Sequence, residues 1–345
     1  MPSSRFAAFI RRIDRNTLRR GALAFVNIGT PVVVAAFIGA PRAALLGAVV
    51  GMILTFADDP GPLTSRLRLL GLTAACVTAG GVLGFTLSGH RALFWIAYVA
   101  IVFAVGWVTR HGREPLIVAR DGALAFAVAS GFPTLDKTEA MIFAGVIALA
   151  AVTRAIDHAL NGPLPLLRAG ARPQAPPGDW GWTRFAVAYA AAGTAALWIG
   201  LTLEPTRALW VVATTLVVMQ PDARASYRRI VARTFGTFVG VFIAFVITRA
   251  GHSVFAISAA VLVVAALIPH HIAHRYWLHT AVIALLILLL YDLTNIGAGD
   301  IDTLLIERLK DMLVGCAIAL IGTVLAFARP ADAAGDVQGD DAGGL

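Results

Sequence analysis

Twelve apolar runs divide this chain: roughly 20–39, 43–57, 69–88, 92–109, 116–132, 139–155, 185–202, 208–219, 234–250, 253–269, 277–291 and 305–327. No other feature constrains the fold as strongly. A helix needs about 20 apolar residues to cross a bilayer. Inside lipid every backbone N–H and C=O must be bonded within the protein, so such runs become helices. The chain is therefore expected to be an all-α, polytopic transmembrane bundle. Runs 43–57, 116–132 and 208–219 are short for a full crossing, which sets the count at ten to twelve spans. The short runs are expected as helices shielded within the bundle, their polar ends facing protein or water. Composition agrees: 58% of residues are hydrophobic and 14% charged, against about a quarter charged in soluble domains.

The charges that remain are mostly positive. Of 28 basic residues only Lys137 and Lys310 are lysine, and the formal net charge is +8. With the N-terminus inside and twelve alternating spans, inside segments hold 21 basic residues. Outside segments hold five, Arg42, Arg91, Lys137, Arg207 and Arg249, while Arg308 and Lys310 open the last run. That asymmetry follows the positive-inside rule. It predicts cytoplasmic N- and C-termini. It also accounts for the basic pI without nucleic acid, for which no motif is present. The first run resembles a secretory signal, but eleven more runs follow, so it is read as a retained helix. Residues 1–19 form a basic amphipathic segment suited to an anionic membrane surface, with Phe6, Phe9 and Ile13 set against Arg5, Arg12 and Arg19.

The chain echoes itself. Arg20 matches Arg184, and Gly29-Thr30 matches Gly193-Thr194. Asp59 matches Asp222, Arg66 matches Arg229, and His90 matches His252. "DKTEAM" from Asp136 matches "ERLKDM" from Glu307. The matches keep their order while the offset drifts, as loop insertions would make it. Six segments per half is an even number, so the halves are expected to share one orientation, as parallel repeats about an axis along the membrane normal. The expected organisation is a first repeat over 20–160, a cytoplasmic Pro- and Gly-rich linker over 161–183, and a second repeat over 184–328. An acidic tail, expected to be disordered, covers 329–345. The cationic clusters of the two halves should then face each other across the axis.

One stretch, "LWVVATTLVVMQPDARASYRRIVARTFGTFVG" from Leu209 to Gly240, carries an apolar run, Gln-Pro-Asp, spaced arginines and Arg-x-x-Gly-Thr. It resembles the signature of the fusaric acid resistance protein-like family, which includes aromatic carboxylic acid exporters of bacterial inner membranes. More distantly it is similar to the plant aluminium-activated malate transporters, whose basic residues four apart lead into Gly-Thr, here Arg229, Arg233, Gly236 and Thr237. The resemblance implies an exporter or channel for small organic anions, aromatic carboxylates foremost. It also implies either a homo-oligomer or a single chain acting as a pseudo-dimer. Two departures stand out. Only a short linker lies between the halves where many bacterial members have a large soluble region, and Leu70 stands where the first half would match Arg233.

The candidate anion-binding residues are Arg229, Arg233, Arg66, Arg120 and Asp121. Arg229 and Arg233, four apart, share a helix face, and guanidinium groups grip carboxylates with paired hydrogen bonds. The alternative for them is a topological signal, which is the reading for Arg224 and Arg228. Arg120-Asp121 lies within a short run, where charge is costly and faces the bundle interior; the pair is either structural or a gate. Arg154 and Asp157 read as a solvated helix end. Glu307, Arg308, Lys310 and Asp311 read as a salt-bridged interfacial turn. His270, His271, His274 and His279 read as a titratable loop and not a metal site. Gly80, Gly81, Gly84, Gly236 and Gly240 read as helix-packing positions. Cys76 and Cys316 lie in apolar runs as packing residues. No enzyme motif, cofactor or metal is expected. The competing reading is a non-transporting membrane scaffold or envelope-associated protein. The topology predicts that a cysteine placed at Gly170 labels with a membrane-impermeant maleimide only after the inner membrane is opened; labelling in intact spheroplasts would invert the orientation.

Overall fold

The structure, a computed structural model, describes residues 15–58, 60–129, 136–165, 178–203, 208–250, 253–272, 276–294 and 301–327. Most of the N-terminal amphipathic segment, most of the linker, the C-terminal tail and the side chains of His270, His271 and His274 lie outside the described residues. Twelve α-helices follow one another: α1 Arg15–Phe37, α2 Pro41–Phe56, α3 Leu63–Ser88, α4 Arg91–Val108, α5 Arg113–Ala129 and α6 Lys137–Asn161, then α7 Gly178–Leu203, α8 Ala208–Val218, α9 Ala223–Ala250, α10 Val254–Ile272, α11 Tyr276–Thr294 and α12 Ile301–Phe327. Eight are long and apolar enough to cross a membrane. The three runs expected to be short are the three shortest helices: α2 with 16 residues, α5 with 17 and α8 with 11.

Helix direction alternates wherever a close contact reports it. Gly51 of α2 lies on Asn27 of α1 and Gly47 on Pro31, so α1 and α2 run antiparallel. Gly80 and Gly84 of α3 lie on the Gly122 and Phe126 carbonyls of α5, so those helices are parallel. Gly236 and Gly240 of α9 lie in the same way on Trp277 and Ala281 of α11. The start of α1 meets the end of α6, where Arg19 bonds Asp157. The start of α7 meets the end of α12, where Arg184 donates to the Leu325 carbonyl and Phe185 packs on Phe327.

Helix pairings in the first six recur in the second six. The pairs α1–α2, α3–α5, α2–α6, α4–α5, α1–α6 and α3–α6 answer to α7–α8, α9–α11, α8–α12, α10–α11, α7–α12 and α9–α12. The contacts between halves recur too: α1 packs on α10 as α7 packs on α4, and α2 on α11 as α8 on α5. The first half holds a small cluster of its own, Val50, Leu54, Leu70, Val146 and Ala150, but the two large cores span both halves. One large apolar cluster joins α1 and α2 to α9, α10 and α11. Another joins α7, α8 and α12 to α4 and α5.

Small residues at the α3–α5 crossing permit that packing, since lipid offers no hydrophobic drive for helices to associate and close contact must supply the attraction. A Cβ on Gly80 would stand 2.1 Å from the Gly122 carbonyl oxygen, whereas Gly81 faces open space. Gly81 is thus no packing position, unlike Gly80, Gly84, Gly236 and Gly240. Gly80→Ala is expected to lower stability by about 1–3 kcal/mol, because backbone must move. Gly81→Ala should be neutral or stabilising by up to about 1 kcal/mol, from helix propensity. Thermal unfolding of the two purified variants in detergent checks the contrast.

Candidate functional site

The α8–α9 connection sets the site. The apolar run of α8 stops at Gln220-Pro221-Asp222, and the Asp222 carboxylate accepts from the backbone N–H of Arg224 (3.1 Å) and Ala225 (3.3 Å). A side-chain acceptor for the orphan donors of a first helical turn starts α9 there. Ser226 locks the turn, its hydroxyl accepting from the Gln220 N–H at 2.9 Å and donating to the Gln220 carbonyl at 3.2 Å. Arg224 and Arg228 then fall on the exposed side of α9, as a topological role requires, and Arg229 and Arg233 turn toward α8.

Three arginines line α8 in succession. Arg229 donates to the Val217 carbonyl at 3.1 Å, and its guanidinium lies 5.3 Å from the Tyr276 ring centre. Arg233 donates to the Thr214 hydroxyl at 3.4 Å. Arg308, from α12, lies 4.4 Å over the ring of Trp210. Val217, Thr214 and Trp210 are spaced close to a helical turn apart, so the column extends about 10 Å along α8 at 1.5 Å per residue. Gly315 of α12 seats on Val211 and Thr214, which brings Arg308, two turns earlier on α12, against α8. Arg233 is 7% exposed and Arg308 4%. Among the described residues none of the three arginines makes an ion pair. Among the described residues, Arg233 Nε and Arg308 Nε and Nη1 have no hydrogen-bond partner.

Arg120 and Asp121 stand beside the outer end of this column. Their side chains approach to 3.5 Å and Asp121 is buried. Arg120 and Arg113 both act electrostatically on Arg229, and Arg120, Asp121 and Arg229 all act on Tyr189. The structure therefore gathers four of the five candidate residues where α5 of the first half meets α8 of the second.

The fifth, Arg66, is used differently. It is 0% exposed and its guanidinium is taken by the chain's own carboxylates. Its Nε and Nη2 donate to the two oxygens of Asp58 at 2.9 and 2.8 Å, and its Nη1 donates to Asp157 at 2.7 Å. Arg154 donates to Asp58 at 3.2 Å and also to the Ala150 and Leu54 carbonyls. Arg19 reaches Asp157 from α1. The paired backbone bonds between Gly61 and Leu164 hold the α2–α3 loop against the end of α6 and so fix Asp58 beside Arg154. Among the described residues no hydrogen bond or ion pair joins Arg66 to Arg229 or Arg233.

Two expectations are corrected here. Arg154 and Asp157 are not a solvated helix end, because both are buried in this network. Arg308 is not held in a salt-bridged interfacial turn, since among the described residues it makes no ion pair. It is buried over Trp210, on the α12 face that α8 covers. Sequence reasoning missed it because Glu307 and Asp311 offered local pairing at helical spacing. The remaining signal was the positive charge eight residues into an apolar helix.

Asp58→Asn removes the carboxylate that bridges Arg66 and Arg154 and leaves buried positive charge uncompensated. The expected cost is about 3–5 kcal/mol. Asp179→Asn breaks only the long Arg110 pair of 3.7 Å at a side chain 94% exposed, and should leave stability unchanged. Detergent melting curves or folded yield from membranes would show the difference.

Residues 191–322 match the family model described as fusaric acid resistance protein-like. No curated protein and no solved structure matches the chain. The match covers α8–α11 whole and includes Arg229, Arg233 and Arg308. The second half of this integral membrane protein, the half that holds the arginine column, is thus similar over residues 191–322 to the fusaric acid resistance protein-like family, a likeness that points to membrane transport or efflux.

Proposed function

We propose that the chain moves small organic anions, aromatic carboxylates among them, across a bacterial inner membrane. The observation that carries this reading is the column of three arginines along α8, two of them buried and Arg229 half-buried, with no carboxylate in ion-pair contact among the described residues. A buried guanidinium without a counter-charge costs several kcal/mol, and intramembrane charge marks ion and substrate pathways. Arg229, with Arg120 and Asp121, forms the cytoplasmic mouth where the halves meet. Arg233 continues the path inward. Arg66 holds the cytoplasmic end of the first half through Asp58 and Asp157 and does not contact the anion. The recurrence of helix pairings supports reading the halves as parallel repeats, with one chain serving as a pseudo-dimer. The competing reading, a membrane scaffold, would leave two buried arginines and a half-buried third without a use.

Flux of benzoate and of malate into proteoliposomes tests this reading, with and without a pH gradient. The wild-type protein should carry at least one of them. Arg229→Ala/Arg233→Ala should reduce the flux at least tenfold while eluting as a folded species. Flux that needs the pH gradient marks proton-coupled exchange, and flux that ignores it marks a channel. No flux of either anion through folded wild-type protein would favour the scaffold.

A further inference from the structure

The first half shows how this architecture holds a carboxylate. One carboxylate, Asp58, lies between an arginine of the third helix and an arginine of the sixth: Arg66 grips both of its oxygens and Arg154 adds a third bond. Both arginines are at most 1% exposed, so the arrangement is dry. Charge-assisted, paired bonds of this kind are the strongest a guanidinium makes.

The second half buries its arginines at other positions: by the echoes in the sequence, Arg233 answers to Leu70 and Arg308 to Lys137. Its third and sixth helices, α9 and α12, contribute Arg233 and Arg308. Both side chains are more than nine-tenths buried. Asp311, three residues on and also buried, acts on Arg308 together with Arg233. Among the described residues, three of their nitrogens, Arg233 Nε, Arg308 Nε and Arg308 Nη1, have no hydrogen-bond partner, and neither has the buried Thr237 hydroxyl one turn beyond Arg233. Trp210 holds Arg308 by its ring face and is itself held by a hydrogen bond from its Nε1 to the Tyr291 hydroxyl at 3.2 Å. The guanidinium is thereby oriented by an aromatic ring, which leaves its N–H edge uncommitted. Buried donors without partners are costly, and an arriving carboxylate would satisfy them.

We infer that Arg308 and Arg233, walled by Trp210 and Tyr291, form the deep binding site for the carboxylate group of the transported anion, inside the second half and not on the axis between halves. The inference rests on the reading that the chain binds organic anions, and it assigns a residue, Arg308, outside the α8–α9 signature stretch. It also makes the two halves unequal: Asp58 occupies the buried arginine pair of the first, and in the second the substrate meets a pair at positions where the first half has no arginine.

Calorimetric titration of the purified, detergent-solubilised full chain with benzoate is the test. One benzoate per chain is expected. Arg308→Gln should weaken binding at least tenfold. Arg308→Lys, which keeps the charge but loses the planar fork, should weaken it about threefold or more. Arg228→Ala, exposed on α9, should change it less than twofold. Wild-type affinity in Arg308→Gln, no benzoate binding by the wild type, or displacement of benzoate by equimolar chloride each overturns the site. If Arg308→Gln aggregates, Arg308→Lys decides, and unchanged affinity there is the overturning result. Benzoate binding that depends on Arg308 in a protein without flux would sink the transport reading and keep the site. Flux with binding indifferent to Arg308 would do the reverse.

Discussion

A guanidinium carried into a helical bundle is the constraint around which this molecule is arranged. Arginine keeps its charge under all ordinary conditions, so burial cannot be relieved by losing a proton. Negative charge, backbone acceptors or aromatic faces must meet it. The first half answers with two aspartates shared among three arginines. The second half answers with one carbonyl, one hydroxyl and two ring faces, which satisfy the groups in part and leave donors over. The same helical frame therefore yields a saturated ionic network at one place and an unsaturated cationic column at another.

Close helix packing makes both arrangements possible. Glycines at the α3–α5 and α9–α11 crossings allow backbones to touch, and the interleaved cores bind α1 to α10 and α4 to α7. Arginines held by helices so fixed have little room to swing out to lipid. That rigidity turns α8, a helix of 11 residues, into a spine along which side chains from α9 and α12 can be stacked at successive turns.

Much of this was legible in the residues. Apolar run lengths marked the helices and singled out α2, α5 and α8 as short. The spacing of Arg229 and Arg233 put them on one helix face. Gly80 with Gly84, and Gly236 with Gly240, announced close crossings, although neighbouring Gly81 looked the same in sequence and faces open space. Long-range charge pairing was not legible. Asp157 and Arg66 are 91 positions apart and Arg154 and Asp58 are 96 apart, so no periodicity links them. Arg308 was hidden for the opposite reason: acidic residues one turn away suggested a local pair, whereas the tertiary fold turned the arginine onto Trp210 instead.

The ionic network has one further property that bears on how the protein is made. Arg19, Asp58, Arg66, Arg154 and Asp157 all precede residue 166, so every charge in that network is present once α6 has been synthesised. Chains fold from the N-terminus as they emerge. The first half can therefore close its ionic clasp and neutralise its buried charges before α7 leaves the ribosome. Arg229, Arg233 and Arg308 then enter the membrane with no aspartate left over from the clasp to capture them, and meet the partners of their own half instead.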